Sequence, residues 1–310
     1  MNHRLLARAS TDAAGILSDG KGRMPNLFAY FMLVVWPLVV IIMFRSMSVE
    51  RALIWSILGG YLVLPPVAAI DLPVVPALNK HAIPALSAFA CAVVLYGRKG
   101  FLPESKVAKL FLAAFVLSPF MTVLTNRDPI VFNVGALPGL RLYDAFAACS
   151  YQLIAILPLL LGRRILASPD ALRDIVMALA VAGLIYTVPM LFEVRMSPQL
   201  NIMIYGFFQH SFEKAMRFDG FRPLVFLEHG LWVALFALTA LLAAAAIFRY
   251  AEPSKRARWL MATLYMIVVL VLCKSAGVLV YAFLLLPLVL LFGPRLQIRI
   301  AGLLAIMVIA

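Results

Sequence analysis

The sequence predicts an all-α, polytopic membrane protein, and three observations carry that prediction. The chain is 64% hydrophobic and 13% charged over 310 residues, with a mean hydropathy of +1.00. Apolar runs recur from Leu27 almost to the C-terminus, several of them near the roughly 20 residues that cross a bilayer as helix. Segments of about ten alternating apolar and polar residues, the mark of a transmembrane barrel, do not occur. Backbone N–H and C=O groups find no water in hydrocarbon. The runs must therefore satisfy their own hydrogen bonds, as helices do.

Residues 1–26 are polar, with Arg4, Arg8, Lys21 and Arg23. They lack the apolar stretch and cleavage site of a signal peptide, so the first span should remain as an anchor. The expected spans are Leu27–Phe44, Ala52–Ile70, a short Ile83–Tyr96, Val107–Leu124 and Tyr143–Leu161. They continue with Ile175–Phe192, Leu231–Phe248, Trp259–Cys273 and Ala276–Phe292. A tenth begins at Ile298 and reaches Ala310 without a polar flank. The sequence thus predicts about ten transmembrane helices in an integral domain over 27–310. That domain is expected to be truncated at its C-terminus, and an extracytoplasmic loop is expected at about 193–230.

Basic residues set the expected orientation. Loop 97–106 carries Arg98, Lys99 and Lys106; loop 162–174 carries Arg163, Arg164 and Arg173; loop 249–258 carries Arg249, Lys255, Arg256 and Arg258. These loops are expected in the cytoplasm, and the alternating loops 125–142 and 193–230 outside. The arginines of the N-terminal tail argue the other way. A re-entrant segment around Gly59-Gly60 and Pro65-Pro66, or a misplaced translation start, would reconcile the two.

The formal charge of +13 is scattered over short loops, with no basic stripe. That excludes nucleic acid as the expected partner and fits topology and anionic membrane lipids. Cys91, Cys149 and Cys273 lie in or beside apolar runs, match no metal spacing and imply no disulfide framework; they are expected to pack. P-loop, GxGxxG and HExxH motifs do not occur. No cofactor or metal is expected.

Chemistry concentrates in YGFFQHSFEKAMRFDGFRPLVFLEHGLW, residues 205–232. Charge this dense at a membrane edge is costly unless it meets water, a partner or a charged substrate. Arg217 and Arg222 suit a phosphate, because the planar guanidinium donates two parallel hydrogen bonds and keeps its charge. Lipid headgroups are the competing ligand. Glu228 and His229 can serve as base or orienting pair, with His210 beside them as a third catalytic candidate. Equally, they can form a polar lid on a helix N-terminus. Lys274 either touches substrate or snorkels to the interface. Arg141 and Asp144 are spaced to pair on a helix face, and Arg141 can add a phosphate contact. Asp71, Lys80 and His81 are expected in a stiff turn.

The stretch Tyr205–Trp232, above all FRPLVFLEHGLW at Phe221–Trp232, resembles the O-antigen ligase and polymerase superfamily of bacterial membrane proteins. RALIWSILGGYLVLPP at Arg51–Pro66 and LCKSAGVLVYAFLLLPL at Leu272–Leu288 resemble its exopolysaccharide-associated branch. The resemblance implies a GT-C-like helical bundle in the bacterial inner membrane. It implies metal-independent, inverting transfer of a glycan from undecaprenyl diphosphate to an acceptor glycan or lipid. By position, Arg217 and Arg222 take the role of the arginines that hold the diphosphate. The family's catalytic His lies in a late periplasmic loop, which by this reading falls beyond Ala310. Residues 1–310 alone are therefore expected not to catalyse transfer. The alternatives are a transporter or flippase of lipid-linked sugars or other amphiphiles, and a non-catalytic scaffold. A transporter usually carries charge halfway along its helices, whereas this chain keeps its charge at loop edges.

Overall fold

A computed structural model of the chain describes residues 24–309, apart from 73–74, 98–99, 133–134, 211 and 218–219. The polar tail therefore lies outside the described residues as far as Arg23, as do Arg98 and Lys99. The helices are α1 (Leu27–Ser46), α2 (Val49–Val63), α3 (Ala82–Tyr96), α4 (Lys106–Thr125), α5 (Leu142–Ile165) and α6 (Pro169–Met196). They continue with a short α7 (Leu200–Tyr205), α8 (Gly230–Tyr250), α9 (Pro253–Leu272), α10 (Ala276–Leu291) and α11 (Pro294–Ile309). Three two-stranded antiparallel hairpins interrupt them: β1 (Ala69–Leu72) with β2 (Val75–Asn79), β3 (Ile130–Phe132) with β4 (Gly135–Leu137), and β5 (Met216–Arg217) with β6 (Gly220–Phe221).

Apart from the end of the second, the expected apolar runs are helical, and short polar caps start several of the helices. Asn26, Ser48, Ser105 and Ser168 each accept a hydrogen bond from a first-turn backbone N–H, which satisfies one of the otherwise unpaired donors there. Five of the described helices, α1, α4, α5, α6 and α8, are long and apolar enough to cross a membrane. The chain is therefore an all-α membrane protein. The second expected span is a correction. α2 stops at Val63 and residues 69–72 turn back as β1. Pro65-Pro66 cannot continue the helical hydrogen bonds, and a proline disfavours helix in the residue before it. Gly59 and Gly60 stay inside α2, so that helix has no re-entrant break.

The connections sort into two ends. Asn26 donates to Ile204 and Tyr205 carbonyls, Lys80 reaches Phe226, and Lys274 reaches Arg217. The hairpins belong to this end. At the other end Arg51 pairs with Asp174 (3.0 Å), Arg163 holds the carbonyls of Gly100, Phe101 and Leu102, and Arg249 holds those of Val289 and Phe292. The basic loops that the sequence assigns to the cytoplasm share this second end.

α8 forms the centre of the main core, packed against α6, α9 and α10, and α2 joins that core against α6. Its Ala234, Ala237, Ala240 and Ala244 are buried. Lipid tails give little hydrophobic drive between helices, so small residues that permit close backbone approach do the packing. Gly183 of α6 faces Ala240, and a Cβ at 183 would collide with the Ala240 methyl group. Gly183→Val should therefore separate α6 from α8, at a cost of about 1–3 kcal/mol. Thermal unfolding in detergent measures it, and an unchanged midpoint refutes the tight contact.

Candidate functional site

Residues 222–229 form an irregular strap between β6 and α8. Non-helical backbone at the membrane edge is tolerated only where its polar groups find partners. Over 224–227 the accounting closes. Glu193 accepts from Leu224 and Val225 N–H, both at 2.7 Å, and from Leu200 N–H at 3.0 Å. Tyr186 Oη accepts from Phe226 N–H (3.2 Å). Gln209 Nε2 donates to the Val225 and Leu227 carbonyls (3.0 and 3.2 Å). Lys80 Nζ donates to the Phe226 carbonyl (2.7 Å). Leu227 N–H donates to the Leu224 carbonyl within the strap. Partners from α6, the 205–212 segment and the β2–α3 junction thus fix one short segment. They hold Val225 at a φ of +51°, a left-handed conformation that a β-branched residue adopts only when its surroundings impose it.

Arg222 opens the strap. It is 5% exposed, and its Nη2 lies 3.5 Å from Ser275 Oγ. Its buried Nε has no hydrogen-bond partner, and among the described residues no ion pair involves it. Gly230 makes room for it, since a Cβ there would stand 2.6 Å from Nε. Burial, and then the neighbouring Arg217, lower the Arg222 pKa from its ordinary value, yet a guanidinium remains charged at physiological pH. Lys274, at a φ of +51° between α9 and α10, donates to the Arg217 carbonyl (3.1 Å) and packs against Gly220. Two arginines of the β5–β6 hairpin and its exit thus meet Lys274 at the start of α10. A buried charge left without its full set of partners is costly, and an anion placed there recovers that cost.

The other end of the strap carries a second cluster. His81 Nε2 lies 3.4 Å from Glu228 Oε1. The bond to His81 lowers the Glu228 pKa; burial opposes this, and the charges of His81 and Lys80 assist. Lys80 is 2% exposed, its Nζ 5.4 Å from the Tyr61 ring centroid. Burial brings its pKa down to about 7, against the pull of Glu228. An unfolded lysine titrates near 10.4. Between these values the unfolded chain binds the extra proton, so Lys80 makes stability rise from about pH 7 towards pH 10. Unfolding midpoints of wild type and Lys80→Met over that window test this. The rise should be smaller in the variant, and identical slopes would discount Lys80.

The structure brings Arg217, Arg222 and Lys274 together and leaves Arg141 elsewhere. Arg141 begins α5, exposed, and its backbone N–H donates to Asp144 (2.7 Å). The expected Arg141–Asp144 side-chain pairing is therefore replaced by a helix-start contact. Glu228 turns to His81 rather than to the α8 N-terminus. His229 caps α8 by accepting from Leu231 N–H (3.0 Å), and its ring centroid lies 4.7 Å from that of His210. The expected stiff turn at 71–81 instead delivers a buried anchor in Lys80. Sequence reasoning missed Lys80, Tyr186, Glu193 and Gln209 as strap partners. Glu193 carried a signal, being an acid on the very edge of a long apolar run.

Two apolar cavities, about 850 and 630 Å³, lie between α3, α4 and α5, near Leu102 and Leu157. They are remote from the strap, and among the described residues Lys109 is the charged one lining them. Fold and site together define a helical membrane protein whose buried charges converge on one end. The chain matches no family model, no curated protein and no solved structure.

Proposed function

We propose that this chain handles an undecaprenyl-diphosphate-linked glycan at the outer face of the bacterial inner membrane. There it takes part in transfer or polymerisation of that glycan onto an acceptor during cell-envelope polysaccharide assembly. The observation that carries the reading is Arg222: a buried guanidinium with an unused Nε, beside Arg217 and Lys274, at a membrane edge. A diphosphate leaving group brings its own negative charge, and fixed cations in a site shielded from water stabilise the charge that develops as the glycosidic bond breaks. Arginine does this without a metal. In the GT-C-like, roughly ten-span arrangement that this reading assumes, the strap forms the rim of a cavity open to lipid.

Carriage across the membrane is the competing reading. Among the described residues, the buried charged side chains are Lys80, Glu193 and Arg222, and all three serve the strap end. None sits halfway along a helix, where a carrier places its site, and this favours group transfer. The test is binding of undecaprenyl diphosphate to the purified chain in nanodiscs, with phosphatidylglycerol as competitor. Saturable binding that survives excess phosphatidylglycerol supports the diphosphate. Equal competition reduces the site to a lipid-headgroup contact.

A further inference from the structure

The second cluster has a composition that neither strap support nor interfacial anchoring requires. The His81 ring has those of Tyr61 and Trp232 as neighbours, with centroids 6.2 and 6.3 Å away. Trp232 is 36% exposed, and the His81 and Glu228 side chains are 38% and 33% exposed. An aromatic residue at a membrane interface needs only its ring and one polar tip. Here two partly exposed rings, Trp232 and His81, lie beside a carboxylate, with the half-buried Tyr61 behind them.

We infer that Trp232, His81 and Glu228, backed by Tyr61, form a saccharide subsite that receives a pyranose ring of the acceptor glycan. A pyranose offers a C–H face that packs on an aromatic ring and hydroxyls that donate to a carboxylate. Glu228 in its ionised form accepts only, and charge-assisted hydrogen bonds to it are the stronger kind. Its acceptor orientation is set by His81. The choice of a glycan as ligand rests on the proposed function. The geometry fits that reading, because Arg222 and Glu228 stand at the two ends of one strap. Six residues span at most about 20 Å, so a diphosphate at one end and a sugar at the other remain within reach of a single linked substrate pair.

The experiment is saturation-transfer NMR on the 310-residue chain in nanodiscs. The probe is an equimolar mixture of the methyl pyranosides of glucose, galactose, mannose and N-acetylglucosamine. Transfer to ring C–H protons is expected. It should fall at least fivefold in Trp232→Ala and Glu228→Ala and persist in Trp232→Phe, which keeps a ring and the local packing. No transfer to any pyranoside overturns the subsite. Undiminished transfer in Trp232→Ala also overturns it and leaves Trp232 an interfacial anchor. Undecaprenyl diphosphate binding, measured on the same samples, separates the two proposals. Diphosphate binding without pyranoside transfer removes the subsite alone, and the reverse removes the diphosphate reading alone.

Discussion

On the proposed function, Arg222→Lys is expected to lower glycan transfer by at least about 100-fold, the scale on which one preorganised charge-stabilising donor acts. Arg222→Ala should do the same. Both variants should reach the membrane in normal amounts, because Arg222 contributes no side-chain hydrogen bond to the strap backbone. Lysine keeps the charge and loses the planar fork. Its shorter reach also withdraws the contact with Ser275. The space created by Gly230 is shaped around the guanidinium stem, so an ammonium placed there has no equivalent seat. Transfer assayed in cells, together with diphosphate binding by the purified variants, provides the measurement. Normal transfer with lysine would falsify two-pronged recognition of a phosphate at this position and return Arg222 to the lipid headgroups.

Glu193→Ala is the second large effect, and it falls on folding. Glu193 is 1% exposed and accepts three backbone N–H groups from two separate segments. Removing the carboxylate leaves those donors buried without partners. Each such loss costs about 1–3 kcal/mol, and partial relaxation brings the expected total to roughly 3–5 kcal/mol. The strap should then lose the conformation that holds Val225 at positive φ, and Arg222 and Glu228 would lose their fixed positions together. Diphosphate binding should therefore disappear along with the stability. Glu193→Gln preserves the shape but turns one acceptor into a donor facing an N–H, so it should recover only part of the loss. A melting temperature unchanged in Glu193→Ala would mean that water replaces the carboxylate and that the strap does not depend on it.

The class of protein was legible in the sequence. Hydropathy and length place the apolar runs on helices, all but the end of the second at Pro65-Pro66, because a backbone in lipid has almost no other way to satisfy its polar groups. Runs such as Leu231–Phe248 needed no tertiary information. The basic loops were also readable, and the structure gathers Arg51, Arg163 and Arg249 at one end, as their alternation implies. Arg217, Arg222 and Lys274 could be named as candidates from charge at a membrane edge. Their convergence could not be read, because it depends on β5–β6 folding back over the α9–α10 junction, and no local pattern encodes which loops meet.

Lys80 and Glu193 mark that limit. Lys80 sits in a Pro-rich turn with the look of a solvated loop residue, and Glu193 looks like the polar end of a helix. Each is buried because a carbonyl or amide on the strap, 146 and 31 or 32 residues away, needs its atom. The sequence by itself determined the helices, since their hydrogen bonds close within a few residues. Tertiary structure decided the strap, since apart from the Leu227–Leu224 bond its backbone groups over 224–227 are satisfied by side chains from distant segments.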